Sequence, residues 1–324
     1  MKASRLHEAF NKLAPLQPGQ PLDPDIRNLH ALPSTINNSE NDFLLTPFTT
    51  IEYEEAINTL KTRSAPGPDL ISNKIIKKFP AENNHVLSGF QYGFRRGLSC
   101  TDNIVSLITD IRQANLQRKL TGIVFLDLIG AFDNVIPEAL LILLSKHGLP
   151  HKIIAFIKAI TTRCNLIGYA AGITLQRRRT HRGLPQGSIL TPILFNLYVS
   201  LIHTCLSNTT KILMYADDIA IYCSHQNLEY IETQLNLALD RLHRFLLNLG
   251  LSISPTKSAF TIFSTLKPRN LRILLRKSHF SLNISNENIP LSWSPRYLGI
   301  YLDPELNWKA HTNQLRNRIR ESTS

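Results

Sequence analysis

Ile212-Leu-Met-Tyr-Ala-Asp-Asp-Ile-Ala-Ile-Tyr-Cys223 is an apolar stretch with two adjacent carboxylates, Asp217 and Asp218, at its centre. Because β-branched and aromatic residues favour strands and Asp does not, the stretch predicts two strands joined by a tight turn that carries both acids. Adjacent carboxylates raise each other's pKa, so keeping both ionised requires solvent or a cation, and rigid oxygen ligands suit Mg²⁺. An exposed turn that is acidic for backbone reasons alone is the alternative.

A third carboxylate ends a second apolar segment, Gly122-Ile-Val-Phe-Leu-Asp127. A buried strand delivers one charged group to the edge of a sheet in this way. Two-metal phosphoryl transfer needs carboxylates from separate strands that converge on cations about 3.5 to 4 Å apart. The sequence therefore predicts that Asp127 meets Asp217 and Asp218 at one sheet edge.

Further motifs lie around these acids in a fixed order. They are Ala65-Pro-Gly-Pro-Asp69, Gln91-Tyr-Gly-Phe-Arg95, Phe125-Leu-Asp-Leu-Ile-Gly-Ala-Phe-Asp133, Gly183-Leu-Pro-Gln-Gly-Ser188, Thr191-Pro-Ile-Leu-Phe195, Tyr215-Ala-Asp-Asp218, Gly250-Leu-Ser-Ile-Ser-Pro-Thr-Lys257 and Tyr297-Leu-Gly-Ile-Tyr-Leu-Asp303. Each motif alone is weak, but several in this order are hard to obtain by chance. From about residue 50 to residue 315 the chain resembles the reverse transcriptase of non-LTR (LINE-like) retrotransposons.

The resemblance implies an α+β fold of the right-hand polymerase type, with a palm of antiparallel strands packed on helices. It divides the chain into a shortened fingers region (49–120), a palm (121–303) and the start of a truncated thumb (304–324). Residues 1–48 contain six prolines that interrupt any long periodic element, so we expect this segment to be loosely ordered.

The same resemblance implies roles for individual residues. Asp127, Asp217 and Asp218 correspond to the metal-binding carboxylates, which hold two Mg²⁺ ions, and Lys257 to a lysine that protonates the leaving pyrophosphate. Nucleotide-binding positions are Phe132, which excludes a ribose 2′-OH, with Gln186 and Gly187 over the incoming nucleotide; the primer-supporting hairpin includes Tyr297, Leu298 and Gly299.

Plainer interpretations of several of these residues remain open. Phe132 fits a core position, Lys257 fits a solvated lysine, and the Pro-Gln-Gly turn needs Gly187 for its backbone without any role for Gln186.

The implied activity is RNA-directed DNA polymerisation, with an RNA template, a DNA primer and dNTPs as partners. Only a few residues separate Pro80 from Gln91, where non-LTR enzymes have several tens that include fingers residues contacting the triphosphate. A catalytically inactive, nucleic-acid-binding remnant of a reverse transcriptase is therefore the alternative. A metal nuclease is a more distant third, because converging carboxylates also serve hydrolysis.

Composition agrees with a nucleic-acid partner. There are 36 Lys and Arg against 24 Asp and Glu, a net charge of +12, which is typical of a phosphate-binding surface. The four cysteines form no Cys-x-x-Cys pair, so neither a zinc site nor a disulfide framework is predicted. No apolar stretch reaches the ~18 residues of a membrane span, and no signal peptide begins the chain, so we expect the nucleus or cytoplasm.

Apolar spacing and capping residues predict five helices. The first covers Thr50 to Leu60. The others are Pro137 to Lys146, Ile153 to Thr162, one with Thr191 as its cap and Pro192 as its first residue, and Leu228 to Leu249.

Overall fold

A computed structural model describes residues 88–323, except for 96, 150, 163–164, 167–168, 171–172, 175–177, 186–187 and 189. The described residues form two compact units. The helical unit comprises Phe132–Tyr198 and Asn248–Gly250, and the sheet unit comprises Ser88–Ala131, Val199–Leu247 and Leu251–Ser324. The helix predicted from Thr50 lies outside the described residues, and the domain boundaries given above stay a prediction.

The elements are numbered here in chain order. They are α1 Cys100–Leu116, β1 Leu120–Leu126, α2 Pro137–Lys146, α3 His151–Thr162, β2 Asn165–Leu166, β3 Tyr169–Ala170, β4 Ile173–Thr174, β5 Arg178–Arg179, α4 Thr191–Tyr198, β6 Lys211–Tyr215, β7 Asp218–His225, α5 Leu228–Asn248, β8 Ala259–Phe263, α6 Pro268–Ser278, β9 Asn283–Ile284, β10 Glu287–Asn288, β11 Arg296–Tyr297, β12 Ile300–Tyr301 and α7 Lys309–Thr323.

A four-stranded antiparallel sheet in the order β6-β7-β1-β8 is the centre of the sheet unit. Strand β1 is buried along its whole length because both of its faces are covered. On one face Ile123 and Phe125 join a hydrophobic cluster with Leu107 of α1. On the other, a Cβ added to Gly122 would lie 2.6 Å from the Ile231 side chain of α5. Glycine at this position therefore allows α5 to pack closely on the sheet.

The predicted α+β architecture, with antiparallel strands packed on helices, is confirmed by this sheet and its helices. Helix α2 has the predicted bounds, α3 begins two residues earlier than predicted, and α5 ends one residue earlier. Helix α4 begins at Thr191 itself, where Thr191 was predicted to be the cap. Helices α1, α6 and α7 were not predicted.

Helix α1 is the most consequential of these, because it covers one face of the sheet. It carries a complete capping box, in which the Ser99 side chain accepts from the backbone N–H of Asp102 and the Asp102 side chain accepts from the backbone N–H of Ser99. Its buried residues Ile104, Leu107 and Ile111 step by three and four. Both signals are visible in the sequence.

In the helical unit, Tyr198 joins two segments that are distant in sequence. Its hydroxyl donates to the carbonyl of Leu249 and accepts from the backbone N–H of Ile136.

None of the described helices is long and apolar enough to cross a membrane. Among the described cysteines, Cys100, Cys205 and Cys223 are free thiols.

Candidate active site

The strand register brings the three predicted acids to one edge of the sheet. Leu126, the last residue of β1, pairs with Ile219 of β7. Continuing that register by one residue sets Asp127 beside Asp218, the first residue of β7. Asp218 in turn pairs with Tyr215 across the hairpin, so Asp217 lies in the turn between β6 and β7. The predicted hairpin with its acidic turn is confirmed.

The turn itself holds an uncommon backbone conformation. Ala216 has φ +56°, in the left-handed region that residues other than glycine rarely adopt. Such a conformation persists only where the surroundings hold it. Here the surroundings are a segment more than a hundred residues earlier in the chain.

Gln91 provides that support. This side chain is only 2% exposed, and its amide makes three hydrogen bonds around the turn. Its Nε2 donates to the carbonyl of Ala216 at 3.1 Å, and its Oε1 accepts from the backbone N–H groups of Ala216 and Gly93, both at 2.9 Å. The amide therefore fixes the backbone that carries Asp217.

The backbone on either side of Gln91 also pairs with β6. Met214 donates its N–H to the carbonyl of Phe90, and Tyr92 donates its N–H to the carbonyl of Met214. A Cβ on Gly93 would lie 2.4 Å from the backbone nitrogen of Ala216. Only glycine allows this approach.

Two more buried polar side chains reach the same hairpin. Asn103 of α1 donates from Nδ2 to the carbonyl of Met214 at 3.0 Å, and its Oδ1 accepts from the Tyr297 hydroxyl at 3.0 Å. Tyr297 also packs against Phe125, with ring centroids 4.8 Å apart. The inner side of the hairpin is thus a network of satisfied hydrogen bonds.

The acids themselves face an unfavourable electrostatic environment. Partial burial raises the pKa of Asp217, and the charge of Asp127 raises it further. Partial burial also raises the pKa of Asp218, as do the charges of Asp217 and Asp127, whereas Arg296 lowers it. The charges of Asp127 and Asp217 therefore act on the neighbouring carboxylates, as expected where acids meet at one place.

Lys257 lies beside the first of these acids. Its Nζ is 4.0 Å from Oδ2 of Asp127, and its side chain is 74% exposed. The segment that carries it is tied to the backbone of Asp127: Ser254 donates its N–H to the Asp127 carbonyl, and the Asp127 N–H donates to Oγ of Ser258. The end of β1 and Lys257 are therefore held close to each other.

Strands β11 and β12 form the predicted hairpin, in which Leu298 and Gly299 are the turn and both have positive φ. The Tyr297 side chain is buried, and its hydroxyl donates a hydrogen bond to Asn103. It therefore supports the β11–β12 hairpin from the inside. Arg296 is exposed and is the cation whose charge acts on Asp218.

Three further residues were predicted to bind the nucleotide: Phe132, Gln186 and Gly187. Phe132 belongs to the helical unit, where its ring packs against Phe195 at a centroid distance of 4.5 Å. Gln186 and Gly187 lie outside the described residues. Their nucleotide-binding roles stay predictions.

Gln91 and Arg296 are among the residues of the site that were assigned no role from the sequence. Gln91 lies in a motif quoted above, but its partner Ala216 is 125 positions away. Arg296 immediately precedes the predicted primer hairpin, which is the one local signal that points to it.

The donor set suits a hard divalent cation, because it consists of carboxylate oxygens at strand ends. In the part of the chain that is described, no three acidic, histidine or cysteine side chains already lie together as a metal-binding group.

Residues 68–302 match the family described as "Reverse transcriptase (RNA-dependent DNA polymerase)". The chain belongs to the reverse transcriptase family. Relatives include a probable RNA-directed DNA polymerase from transposon X-element of Drosophila melanogaster, 24% identical over 78% of this chain and 27% of the relative. The RNA-directed DNA polymerase from mobile element jockey of Drosophila funebris is also 24% identical, over the same shares.

The predicted resemblance to non-LTR retrotransposon reverse transcriptases is thereby confirmed. The chain spans about a quarter of the length of these relatives. Among solved structures, apo telomerase from Candida tropicalis aligns with a TM-score of 0.49 at 11% identity, covering 84% of this chain and 50% of that one.

Proposed function

We propose that this reverse transcriptase chain is an RNA-directed DNA polymerase that extends a DNA primer on an RNA template with dNTPs, in the nucleus or cytoplasm. The observation that supports this most strongly is the convergence of Asp127, Asp217 and Asp218 at one sheet edge. Carboxylates that come from separate strands and meet at one place are what two-metal nucleotidyl transfer requires. Burial and neighbouring carboxylate charge raise the pKa values of Asp217 and Asp218.

The three carboxylates would hold two Mg²⁺ ions. When bound, these ions activate the attacking primer oxygen and neutralise charge on the leaving phosphates. The buried amide of Gln91 holds the turn so that Asp217 is presented in one orientation. Such preorganisation is most of what a protein contributes to phosphoryl transfer.

In the proposed reaction, the primer 3′-hydroxyl loses its proton to solvent and its oxygen bonds to the α-phosphorus of the dNTP, while the bond from that phosphorus to the pyrophosphate oxygen breaks. Lys257, with its Nζ 4.0 Å from Asp127, would donate a proton to that leaving oxygen. Arg296 offers a cation beside Asp218 for a primer or nucleotide phosphate.

Further roles complete the proposal. Phe132 would exclude the ribose 2′-OH, Gln186 and Gly187 would contact the nucleotide, and the turn at Leu298 and Gly299 would support the primer end through its backbone.

The second candidate function is that of an inactive remnant that still binds nucleic acid. One observation favours it: no group of three potential metal ligands is preassembled among the described residues. A remnant would keep the basic surface and lose turnover.

Primer extension on an RNA template with Mg²⁺ separates the two functions. We expect incorporation by the wild-type chain and a loss of roughly 10³-fold in Asp217→Asn, since an electrostatic group at the reaction centre is removed. Asp240→Asn is the matched control, because Asp240 lies on α5 and pairs with Arg244; its activity should be unchanged.

Absence of incorporation together with RNA binding that weakens steeply with salt would favour the remnant. RNA binding with a shallow salt dependence would contradict both candidates, because phosphate contacts release counterions.

A further inference from the structure

A concentration of cations lies on and directly before helix α6 of the sheet unit. From residue 267 to residue 279 the chain has no acid and five cations: Lys267, Arg269, Arg272, Arg276 and Lys277. Leu271 and Leu275 are the buried residues of the helix, so they hold it against the unit. Arg272 and Arg276 are exposed.

Beside α6 is a cavity of about 540 Å³, large enough for a nucleotide. Its walls combine the two arginines with aromatic rings: Phe260 of β8, Phe280 after α6, and Trp293. An aromatic floor with a cationic rim fits a ligand that is itself flat and negatively charged.

The side chains are already arranged for stacking. The guanidinium carbon of Arg272 lies 4.8 Å from the centroid of the Trp293 ring, and the rings of Phe260 and Phe280 are 5.4 Å apart. Trp293 and Phe280 are half-buried, which leaves part of each ring accessible. Unpaired bases stack on such rings and on guanidinium planes.

We propose that this cavity is a binding site for single-stranded nucleic acid, separate from the catalytic acids. One unpaired base enters it and stacks on the Arg272–Trp293 pair, while the flanking phosphates bind Arg272 and Arg276. The proposal rests on the proposed function only in that the partner is nucleic acid, and it requires no turnover.

The chemistry favours this partner over others. A duplex keeps its base faces stacked internally, so it cannot use the aromatic floor. The carboxylates of an acidic peptide would use the arginines but have no ring of their own to stack on Trp293 and Phe280. An apolar peptide would leave the arginines without partners.

Fluorescence of Trp293 tests the proposal directly. The chain has two tryptophans, so Trp308→Phe leaves Trp293 as the sole one. In that full-length variant, a single-stranded RNA of roughly twelve nucleotides, a length within the range of known single-strand sites, should quench the Trp293 emission. The same RNA in a duplex should quench it much less.

Arginine variants supply the affinity test. Arg272→Ala should weaken binding of the labelled single strand about tenfold, since one stacking contact and one phosphate contact are lost. Arg269→Ala is the matched control, because Arg269 is on the same helix, is exposed and does not line the cavity. It should change affinity by less than about twofold.

Several outcomes would overturn the proposal. One is unchanged Trp293 emission while the strand binds; another is equal losses from Arg272→Ala and Arg269→Ala. A third is quenching by a free mononucleotide at the same nucleotide concentration as strong as that by the strand. If Trp308→Phe does not fold, the anisotropy comparison of the two arginine variants in the wild-type background decides alone. Primer extension by the wild-type chain is measured in parallel, so a failure here is distinguishable from a failure of the polymerase function.

Discussion

The two sides of the β6–β7 hairpin are built on opposite principles. On the inner side, Gln91 and Asn103 give the hairpin backbone hydrogen-bond partners, and burial is nearly complete. On the outer side, Asp217 and Asp218 lie in each other's field and in that of Asp127, with raised pKa values. The stability of the hairpin and its proposed chemistry thus depend on different side chains around it, so substitutions should separate the two.

The largest effect on the inner side is expected from Gln91→Leu. The substitution removes the side-chain partner of the buried N–H and carbonyl of Ala216 in the turn, which should lower the free energy of unfolding by roughly 3 kcal/mol. Urea denaturation measures it. Gln113→Leu on the exposed face of α1 is the control, expected within about 0.5 kcal/mol of wild type. An equal decrease in the free energy of unfolding in both variants would contradict the proposed support of the turn by Gln91.

On the outer side, Lys257→Gln should show the reverse pattern. Loss of the proposed proton donor to the pyrophosphate should reduce the primer-extension rate about 100-fold. The free energy of unfolding should be nearly unchanged, because the side chain is 74% exposed. Lys146→Gln, an exposed lysine of α2, is the control and should retain full activity. A Lys257→Gln variant as active as this control would assign the lysine to the solvated surface.

The outer side was predictable from sequence and the inner side was not, for a physical reason. Asp127, Asp217 and Asp218 interrupt apolar strands, so local composition reveals them, and antiparallel pairing then brings them together. Gln91 acts on Ala216 across 125 positions, and nothing in its own neighbourhood encodes that contact. Tertiary hydrogen bonds of this kind carry no periodic signal.

The same distinction between local and distant signals explains which helices were predicted from the sequence and which were not. Helix α5 has a long apolar stripe and was predicted within one residue at its end. Helix α6 is so rich in cations that its short apolar face, Leu271 and Leu275, is hard to separate from a solvated loop. Helix α1 was missed although Ser99 and Asp102 form a capping box, a signal that local reasoning can use.

A glycine pair tests how tightly the inner side is packed. Gly93→Ala places a Cβ 2.4 Å from the backbone nitrogen of Ala216, whereas Gly89→Ala meets nothing within 4 Å. We expect Gly93→Ala to lower the free energy of unfolding by about 2 kcal/mol, as overpacking does. Gly89→Ala should be close to neutral. Thermal and urea unfolding of the two variants side by side give the comparison, and equal stabilities would show that the turn can move away from residue 93.

The smallest effect, and the sharpest test of the outer side, is on stability rather than activity. Because the folded-state pKa values of Asp217 and Asp218 are raised, their ionisation destabilises the metal-free fold. That penalty is absent below pH 3.8, the ordinary pKa of an Asp side chain. It is fully present above the raised pKa of the folded state. Asp217→Asn should therefore be slightly more stable than wild type at neutral pH, by a fraction of about 1 kcal/mol.

Acidification should shrink this difference, and so should Mg²⁺, which stabilises only the chain that still has its ligands. The measurement is urea unfolding of wild type and Asp217→Asn between pH 3 and pH 8 (roughly the range over which an Asp with a raised pKa titrates), without and with Mg²⁺. Asp240→Asn serves again as the control. Asp240 forms an ion pair with Arg244, so its negative charge is favourable and its removal should not stabilise the fold. If Asp217→Asn were less stable than wild type at neutral pH without metal, the turn would need the carboxylate for its own structure, and the division between the two sides of the hairpin would fail at its central residue.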